Sequence, residues 1–199
     1  MNLRNHAGFT WIELLVCLVV IATLIALALP ATSGGGLRRG TMTRSLSNMK
    51  QLHLATQQMA MDGITTGQTN LGWPGDTGSS FARWTASLVQ GEYLSKQDLA
   101  KLLSAPGIIV SPEKIPTVNT TAVLVYAVST NSPNDALFLS TANFTNTPTG
   151  GVPPLKSAKS FGNKGFAIFK KAGDGAILQS RQTGPQYTNV IGSFVPLCR

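Results

Sequence analysis

A continuous apolar run near the N-terminus constrains this chain more than any other feature. It extends from Phe9 to Leu29, twenty-one residues of which only Thr10, Glu13 and Thr23 are polar. At about 1.5 Å of rise per residue, a helix of this length reaches roughly 30 Å, the thickness of the hydrocarbon core of a bilayer. The run therefore predicts one helix that can cross a membrane.

Two properties distinguish the run from a cleavable secretory signal. Ala26-Leu27-Ala28 does provide the small-residue pattern that a signal peptidase recognises. The run is nevertheless longer than the apolar stretch of about 7–15 residues in such signals, and it contains Glu13, a costly residue in an apolar medium. Because the nearest cations, Arg4 and Arg38, lie outside the run, we expect the carboxylate to find its partner on another molecule.

The residues around this glutamate resemble a known processing motif. The segment Gly8-Phe9-Thr10-Trp11-Ile12-Glu13-Leu14-Leu15 is similar to the prepilin cleavage and methylation motif of type IV pilins and type II secretion pseudopilins. The resemblance implies that a prepilin peptidase cuts after Gly8 and methylates Phe9, so that the helix is retained. It also implies that Glu13 meets the new amine of Phe9 on a neighbouring subunit, a pairing that sets register more than it adds stability.

Directly after the apolar run, the sequence predicts a joint. Pro30 coincides with the family's helix-kinking proline, and three glycines follow it at Gly34, Gly35 and Gly36. Proline interrupts helical hydrogen bonding, and glycine loses more conformational entropy than any other residue when it is ordered. We therefore expect a Gly-rich joint over residues 31–42 instead of an unbroken rod.

An amphipathic helix is predicted over residues 43–62, with Gly63 as its terminator. Its apolar positions recur at spacings of three and four, which places them on one helical face. They are Leu46, Met49, Leu52, Ala55 and Met59.

The remaining residues, 63–199, are expected to form one globular head. Helical signals cover Phe81 to about Gln90 and Lys96–Leu103, and four short strand signals follow between residues 122 and 178. We thus predict an α+β, pilin-like fold. It comprises a leader over 1–8, a transmembrane and polymerisation helix over 9–30, and a small domain with a C-terminal antiparallel β-sheet.

Residues that could carry chemistry are sparse. His53 is the only histidine after the leader, and no phosphate-binding loop or His/Cys cluster occurs, so we expect neither enzymatic activity nor a cofactor. Because some major pseudopilins bind calcium, Asp174 in the turn Gly173-Asp174-Gly175 is a weak calcium candidate, but its basic surroundings favour a plain hairpin. Cys198 is expected to be inert or a free thiol.

The resemblance implies a structural subunit of a type II secretion-type filament that drives protein export across the outer membrane. Its partners would be prepilin peptidase, identical or homologous pilins, and an inner-membrane assembly platform with its ATPase. The basic N-terminus predicts a single-pass protein of the bacterial inner membrane with a cytoplasmic N-terminus and a periplasmic head.

Two alternatives remain open. The first is a type IV pilus or DNA-uptake minor pilin, since the net charge of +8 is concentrated in residues 38–50 and 148–199. Nucleic-acid binding is nevertheless not expected, because no aromatic and basic interleaving accompanies these patches. The second is a membrane-tethered binding protein that uses the helix only as an anchor.

Overall fold

The computed structural model describes residues 10–28, 35–114, 120–144, 161–162, 165–179, 182, 188–193 and 195–198. The chain divides into two units, Met1–Arg39 and Gly40–Arg199, and each is described by itself.

The first unit contains helix α1, Trp11–Ala28, which is 18 residues long. It falls inside the helix predicted over 9–30; Thr10 directly precedes it, and residues 9, 29 and 30 lie outside the described part. Leucine, isoleucine and valine side chains are exposed on every side of α1. Among the residues that the structure describes, no helix has the combination of length and apolarity that a membrane crossing requires.

Helix α2 extends from Gly35 to Thr66, so its predicted bounds, 43–62, are wrong, and residues 35–42 of the predicted joint are helical, whereas its residues 31–34 lie outside the described part. Residues 35–42 are helical, and the helix begins eight residues earlier than expected. A glycine costs a helix about 1 kcal/mol relative to alanine, whereas burying a methionine gains about 1.5–3 kcal/mol. Met42 is buried against Phe161, so apolar packing supports the helix ahead of the predicted start.

The far end of α2 also differs from the prediction, because Gly63 lies inside the helix instead of ending it. A Cβ atom at Gly63 would collide with the carbonyl oxygen of Leu71. The segment after the helix thus returns across this position and needs a residue without a side chain. Gly63 is a packing glycine, which the sequence pattern alone does not distinguish from a terminating one.

Helices α3 and α4 agree closely with the sequence prediction. They extend over Phe81–Gln90 and Lys96–Leu102. The hydroxyl of Ser95 accepts a hydrogen bond from the backbone amide of Asp98 over 3.0 Å, which caps α4.

The prediction of an α+β fold with an antiparallel sheet is confirmed. The strands are β1 (Val123–Val125), β2 (Leu137–Thr141), β3 (Gly165–Lys170) and β4 (Gly175–Gln179), and they lie side by side in that order. All three neighbouring pairs are antiparallel. In the turn between β3 and β4, Gly173 adopts a φ of 95°, which glycine tolerates without strain.

One face of the sheet packs on the helices, and this is the main core of the head. Its members come from α2, α3, α4 and the strands. They include Met49, Leu52, Met59, Trp84, Leu88, Leu99, Phe138 and Phe169. A smaller cluster around Tyr126, Phe166 and Ile168 also contains Ile191 of the short helix α5, Thr188–Ile191.

The outer edge of β1 is covered by a segment from the end of the described chain. The backbone amide of Cys198 donates to the carbonyl of Val125 over 3.0 Å, and the amide of Ala127 donates to the carbonyl of Pro196 over 2.7 Å. Residues 195–198 therefore occupy hydrogen-bonding groups that an edge strand would otherwise offer to other chains.

Candidate functional site

The first turn of α1 contains a reciprocal cap formed by Thr10 and Glu13. The backbone amide and the hydroxyl of Thr10 both donate to Oε2 of Glu13, over 2.8 and 2.9 Å. The backbone amide of Glu13 in turn approaches the Thr10 hydroxyl oxygen at 3.4 Å and the Thr10 carbonyl at 3.1 Å. This is a capping box, which satisfies amides that the start of a helix leaves without partners.

The cap gives Glu13 hydrogen-bond donors within its own chain, and the cationic partner expected on another molecule stays a prediction. The carboxylate has two donors from Thr10, and it lies in the first helical turn, where the helix dipole favours negative charge. In the part of the chain that the structure describes, its other oxygen, Oε1, accepts no hydrogen bond. One carboxylate oxygen is thus held inside the chain, and the other can take an external donor.

Thr10 is the functional residue that the sequence interpretation missed. Its separation from Glu13 is that of the capping-box pattern, a Ser or Thr followed three residues later by Glu. This spacing predicts the cap, whereas the charge of Glu13 alone predicts only a cationic partner.

The structure describes only some of the other residues of the predicted processing site and joint. Gly8, Phe9, Pro30 and Gly34 lie outside the described residues. Gly35 and Gly36 lie in the first turn of α2.

The surface of α1 has little polar character beyond this cap. The hydroxyl of Thr23 donates to the carbonyl of Val20 over 2.8 Å, which satisfies it within the helix. Cys17 is an exposed free thiol on the same helix. A helix that is apolar all round needs an apolar environment, either lipid or other apolar helices.

Asp174 lies in the turn between β3 and β4, where its carbonyl accepts a hydrogen bond from the amide of Lys170 over 2.8 Å. Beside this turn, the Lys171 ammonium donates to the carbonyls of Thr130 and Ser132, over 2.7 and 2.6 Å. Across the described residues, no three Asp, Glu, His or Cys side chains cluster in a way that could hold a metal ion. Asp174 thus takes part in a hairpin turn, and its role as a calcium candidate stays a prediction.

His53 and Cys198 serve the packing of the head. The His53 ring lies among Trp73, Phe138 and Phe169, with ring centroids 5.2–6.1 Å away, and Nε2 is 2.8 Å from the carbonyl oxygen of Lys171. The Cys198 thiol is buried, and burial raises its pKa to about 12. Because thiolate is the reactive form, Cys198 is inert in the folded head.

The first turn of α1 lies in a segment that matches a known family model. Residues 3–29 match the model of the prokaryotic N-terminal methylation motif. The matched segment contains the capped turn and the whole apolar run from Phe9 to Leu29, so the Thr10–Glu13 cap lies within it.

Part of the chain is also similar to a curated protein. The chain is 32% identical over 68 residues to the type IV major fimbrial protein FimA of Dichelobacter nodosus. The match covers 34% of this chain and 43% of the relative, so the two are alike over less than half of either protein. No solved structure matches the chain.

Proposed function

We propose that this chain is a structural subunit of a pilin-type filament, assembled through α1. The carrying observation is that a largely apolar helix begins with one carboxylate, of which one oxygen is capped by Thr10 and the other accepts no hydrogen bond from the residues that the structure describes. The N-terminal methylation motif over the same residues supports this function. We place the protein among structural components, and not among enzymes.

In the proposed mechanism, the apolar run from Phe9 to Leu29 first holds the subunit in the inner membrane, with the head in the periplasm. Prepilin peptidase cleaves after Gly8 and methylates Phe9, which gives the helix a new cationic amine. That amine then meets Glu13 of a neighbouring copy inside an apolar bundle of α1 helices. An ion pair in apolar surroundings adds little net stability, because desolvation of the two charges offsets their attraction. A register that leaves one charge without its partner is strongly unfavourable, so the pair selects one register between neighbouring subunits.

The Thr10–Glu13 cap gives the carboxylate a partner before the neighbour arrives. An unpaired carboxylate in an apolar medium is strongly unfavourable, and two donors from Thr10 reduce that penalty in the single subunit. Because Oε1 stays open, the incoming amine can be accepted without first breaking the cap. The first turn of α1 would thus keep the same geometry in the single membrane-held subunit and in the filament.

The finer proposal is a pseudopilin of a type II secretion-type filament, which drives proteins across the outer membrane. Its partners would be prepilin peptidase, identical or homologous pilins, and the inner-membrane platform with its ATPase. A type IV pilus is the second candidate, and the fimbrial relative favours it.

Mass spectrometry of the mature N-terminus tests the common part of both candidates. We expect a chain that begins at N-methylated Phe9. A chain that begins near Leu29 or Thr32 would mean that a signal peptidase removes the apolar run, and the proposal would fail. Glu13→Gln should leave the head folded and abolish assembly, whereas full assembly of this variant would argue for an anchor without a polymerising role.

Gene deletion separates the two candidates. Loss of an exported protein from the culture medium, with surface pili unchanged, would support the secretion filament. Loss of surface pili with normal export would support the pilus.

A further inference from the structure

The head contains a cavity between helices α3 and α4. Its volume is about 320 Å³, at the lower end of the roughly 300–1,000 Å³ that is typical of small-molecule pockets. Three segments form its walls: α3, α4, and residues 111–114, which follow α4 in the chain. The cavity has no part in the proposed role of α1, and we call it the α3–α4 cavity.

The floor of the α3–α4 cavity is apolar and continuous with the core of the head. Leu99 and Ala100 are buried members of the main core, and Val89 packs against that core. The hydroxyl of Thr85, which also lines the cavity, donates to two carbonyls of its own helix over 2.9 and 3.1 Å. A ligand on this floor therefore makes apolar contacts.

The third wall is positioned by two hydrogen bonds through Ser104. Its hydroxyl donates to the carbonyl of Ala100 over 2.7 Å and accepts the backbone amide of Val110 over 3.0 Å. Val110 is itself buried. The chain is thus fixed directly ahead of residues 111–114, so the cavity is largely preformed, which lowers the entropy cost of binding.

Three charged side chains line the cavity in addition to its apolar floor. They are Lys96, the first residue of α4, and Glu113 and Lys114 of the third wall. All three residues are exposed, which places their charges on the solvent side of the buried floor. Neither lysine forms a hydrogen bond or an ion pair with any residue that the structure describes. Two positive charges and one negative charge leave the cavity with a net charge of +1.

We infer that the α3–α4 cavity binds a small organic anion, a carboxylate with one apolar group of about the size of an aromatic ring. The carboxylate meets the ammonium groups of Lys96 and Lys114, and the apolar group contacts the floor at Leu99. A neutral ligand gains nothing from the two ammonium groups, and a cation is repelled by them. None of the lining residues is aromatic, so the cavity lacks the stacking surface that commonly binds nucleobases.

Titration of the full chain in a neutral detergent with three matched probes tests this ligand class. Phenylpropionate, phenylpropanol and phenylpropylamine share a ring and a short chain, and at pH 7 they carry a negative, no and a positive charge. The methyl NMR signals of Val89 and Leu99 report occupancy. We expect these signals to reach a plateau with phenylpropionate, an affinity at least fivefold lower for phenylpropanol, and no saturable change with phenylpropylamine.

Two outcomes of the titration would overturn the inference. Equal affinities for the acid and the alcohol would show that the lysines do not select an anion. Signal changes that never saturate would show that the probes only partition into the detergent.

Substitution of the lysines tests the charge requirement. The double variant Lys96→Gln and Lys114→Gln should bind phenylpropionate at least fivefold more weakly. The matched control, Lys50→Gln and Lys101→Gln, removes the same charge from exposed positions outside the cavity and should bind like the wild type. Glu113→Gln should bind severalfold more tightly, because it removes the negative charge beside the ligand. Equal weakening in the two lysine pairs would contradict a local role for Lys96 and Lys114.

Ala86→Leu provides a readout that does not depend on charge. Ala86 lines the cavity from α3, and leucine is a good helix former whose additional carbons occupy the space of the ligand. We expect an unchanged melting temperature and no saturable NMR change, whereas binding at wild-type affinity would locate the ligand elsewhere. Because none of these measurements involves polymerisation, the cavity and the filament function can each fail without the other.

Discussion

Oδ2 of Asp76 accepts hydrogen bonds from both the backbone amide and the hydroxyl of Thr130, over 2.9 and 2.8 Å. The same oxygen accepts the backbone amide of Trp73 over 3.2 Å. One carboxylate thus joins the loop between α2 and α3 to the loop between β1 and β2. The connection holds Trp73 over the core, where its ring packs on Phe138.

Asp76→Ala should therefore destabilise the head by about 1–2 kcal/mol, since hydrogen bonds to charged groups contribute more than neutral ones. Chemical denaturation of the purified protein measures this free energy. Asp174→Ala is the matched control, because it also removes an exposed carboxylate but should change stability by less than about 0.5 kcal/mol. Equal losses in the two variants would show that general charge, and not this connection, is responsible.

Gly40 and Gly63, both within α2, should respond in opposite directions to the same substitution. Gly40→Ala should stabilise the protein by up to about 1 kcal/mol, because alanine favours the helix and no atom lies within 4 Å of the added methyl group. Gly63→Ala should destabilise it by about 1–3 kcal/mol, because the methyl group meets the Leu71 carbonyl. Thermal melting of both variants tests this pair, and stabilisation by both would contradict the packing role of Gly63.

Alkaline pH should weaken the head through two buried groups. Burial raises the pKa of Cys198 from 9.0 to about 12, and it also raises the pKa of Tyr126 above its usual 10.0. Unfolding exposes both groups, so the unfolded chain loses these protons first. The contribution of these two groups to the free energy of unfolding is fully present below pH 9, and it declines as pH rises from 9 towards their pKa values in the folded head.

Cys198→Ala isolates the thiol contribution to this decline. Between pH 8 and pH 10, urea denaturation should show that the wild type loses about 1 kcal/mol more than the variant. Identical pH profiles would mean that the thiol is already solvated in the folded head.

Removal of the Thr10 hydroxyl should impair assembly without unfolding the protein. Thr10→Val keeps the shape of the side chain and the backbone donor, but it deprives Glu13 of one of its two donors. Thr10→Ser restores a hydroxyl at the same position. We expect the yield of filaments per processed subunit to fall severalfold in Thr10→Val and to recover in Thr10→Ser. Equal yields would argue against a role for the cap.

The sequence predicted the elements whose signals are local. The helical signals over Phe81 to about Gln90 and Lys96–Leu103 located α3 and α4 almost to the residue. The turn around Gly173 and Asp174 correctly indicated the hairpin of β3 and β4. These signals depend on neighbouring residues alone, so they do not require knowledge of what packs where.

The sequence failed where tertiary contacts decide. Glycine is a common helix terminator, but the role of Gly63 is determined by the Leu71 carbonyl, which lies next to it only in the folded head. The start of α2 was placed too late because the burial of Met42 against Phe161 could not be foreseen. At the candidate site, the assembly role of Glu13 stays a prediction from the motif, whereas its cap by Thr10 depends on hydrogen bonding, which an argument from charge does not consider.

The cover that residues 195–198 place on β1 has a consequence for the timing of folding. It joins segments about seventy residues apart, and contacts of such long range form late. Until they form, β1 presents an open edge on which a strand of another chain can pair. The hydrogen bond from Cys198 to Val125 therefore closes an edge that a strand of another chain could otherwise occupy.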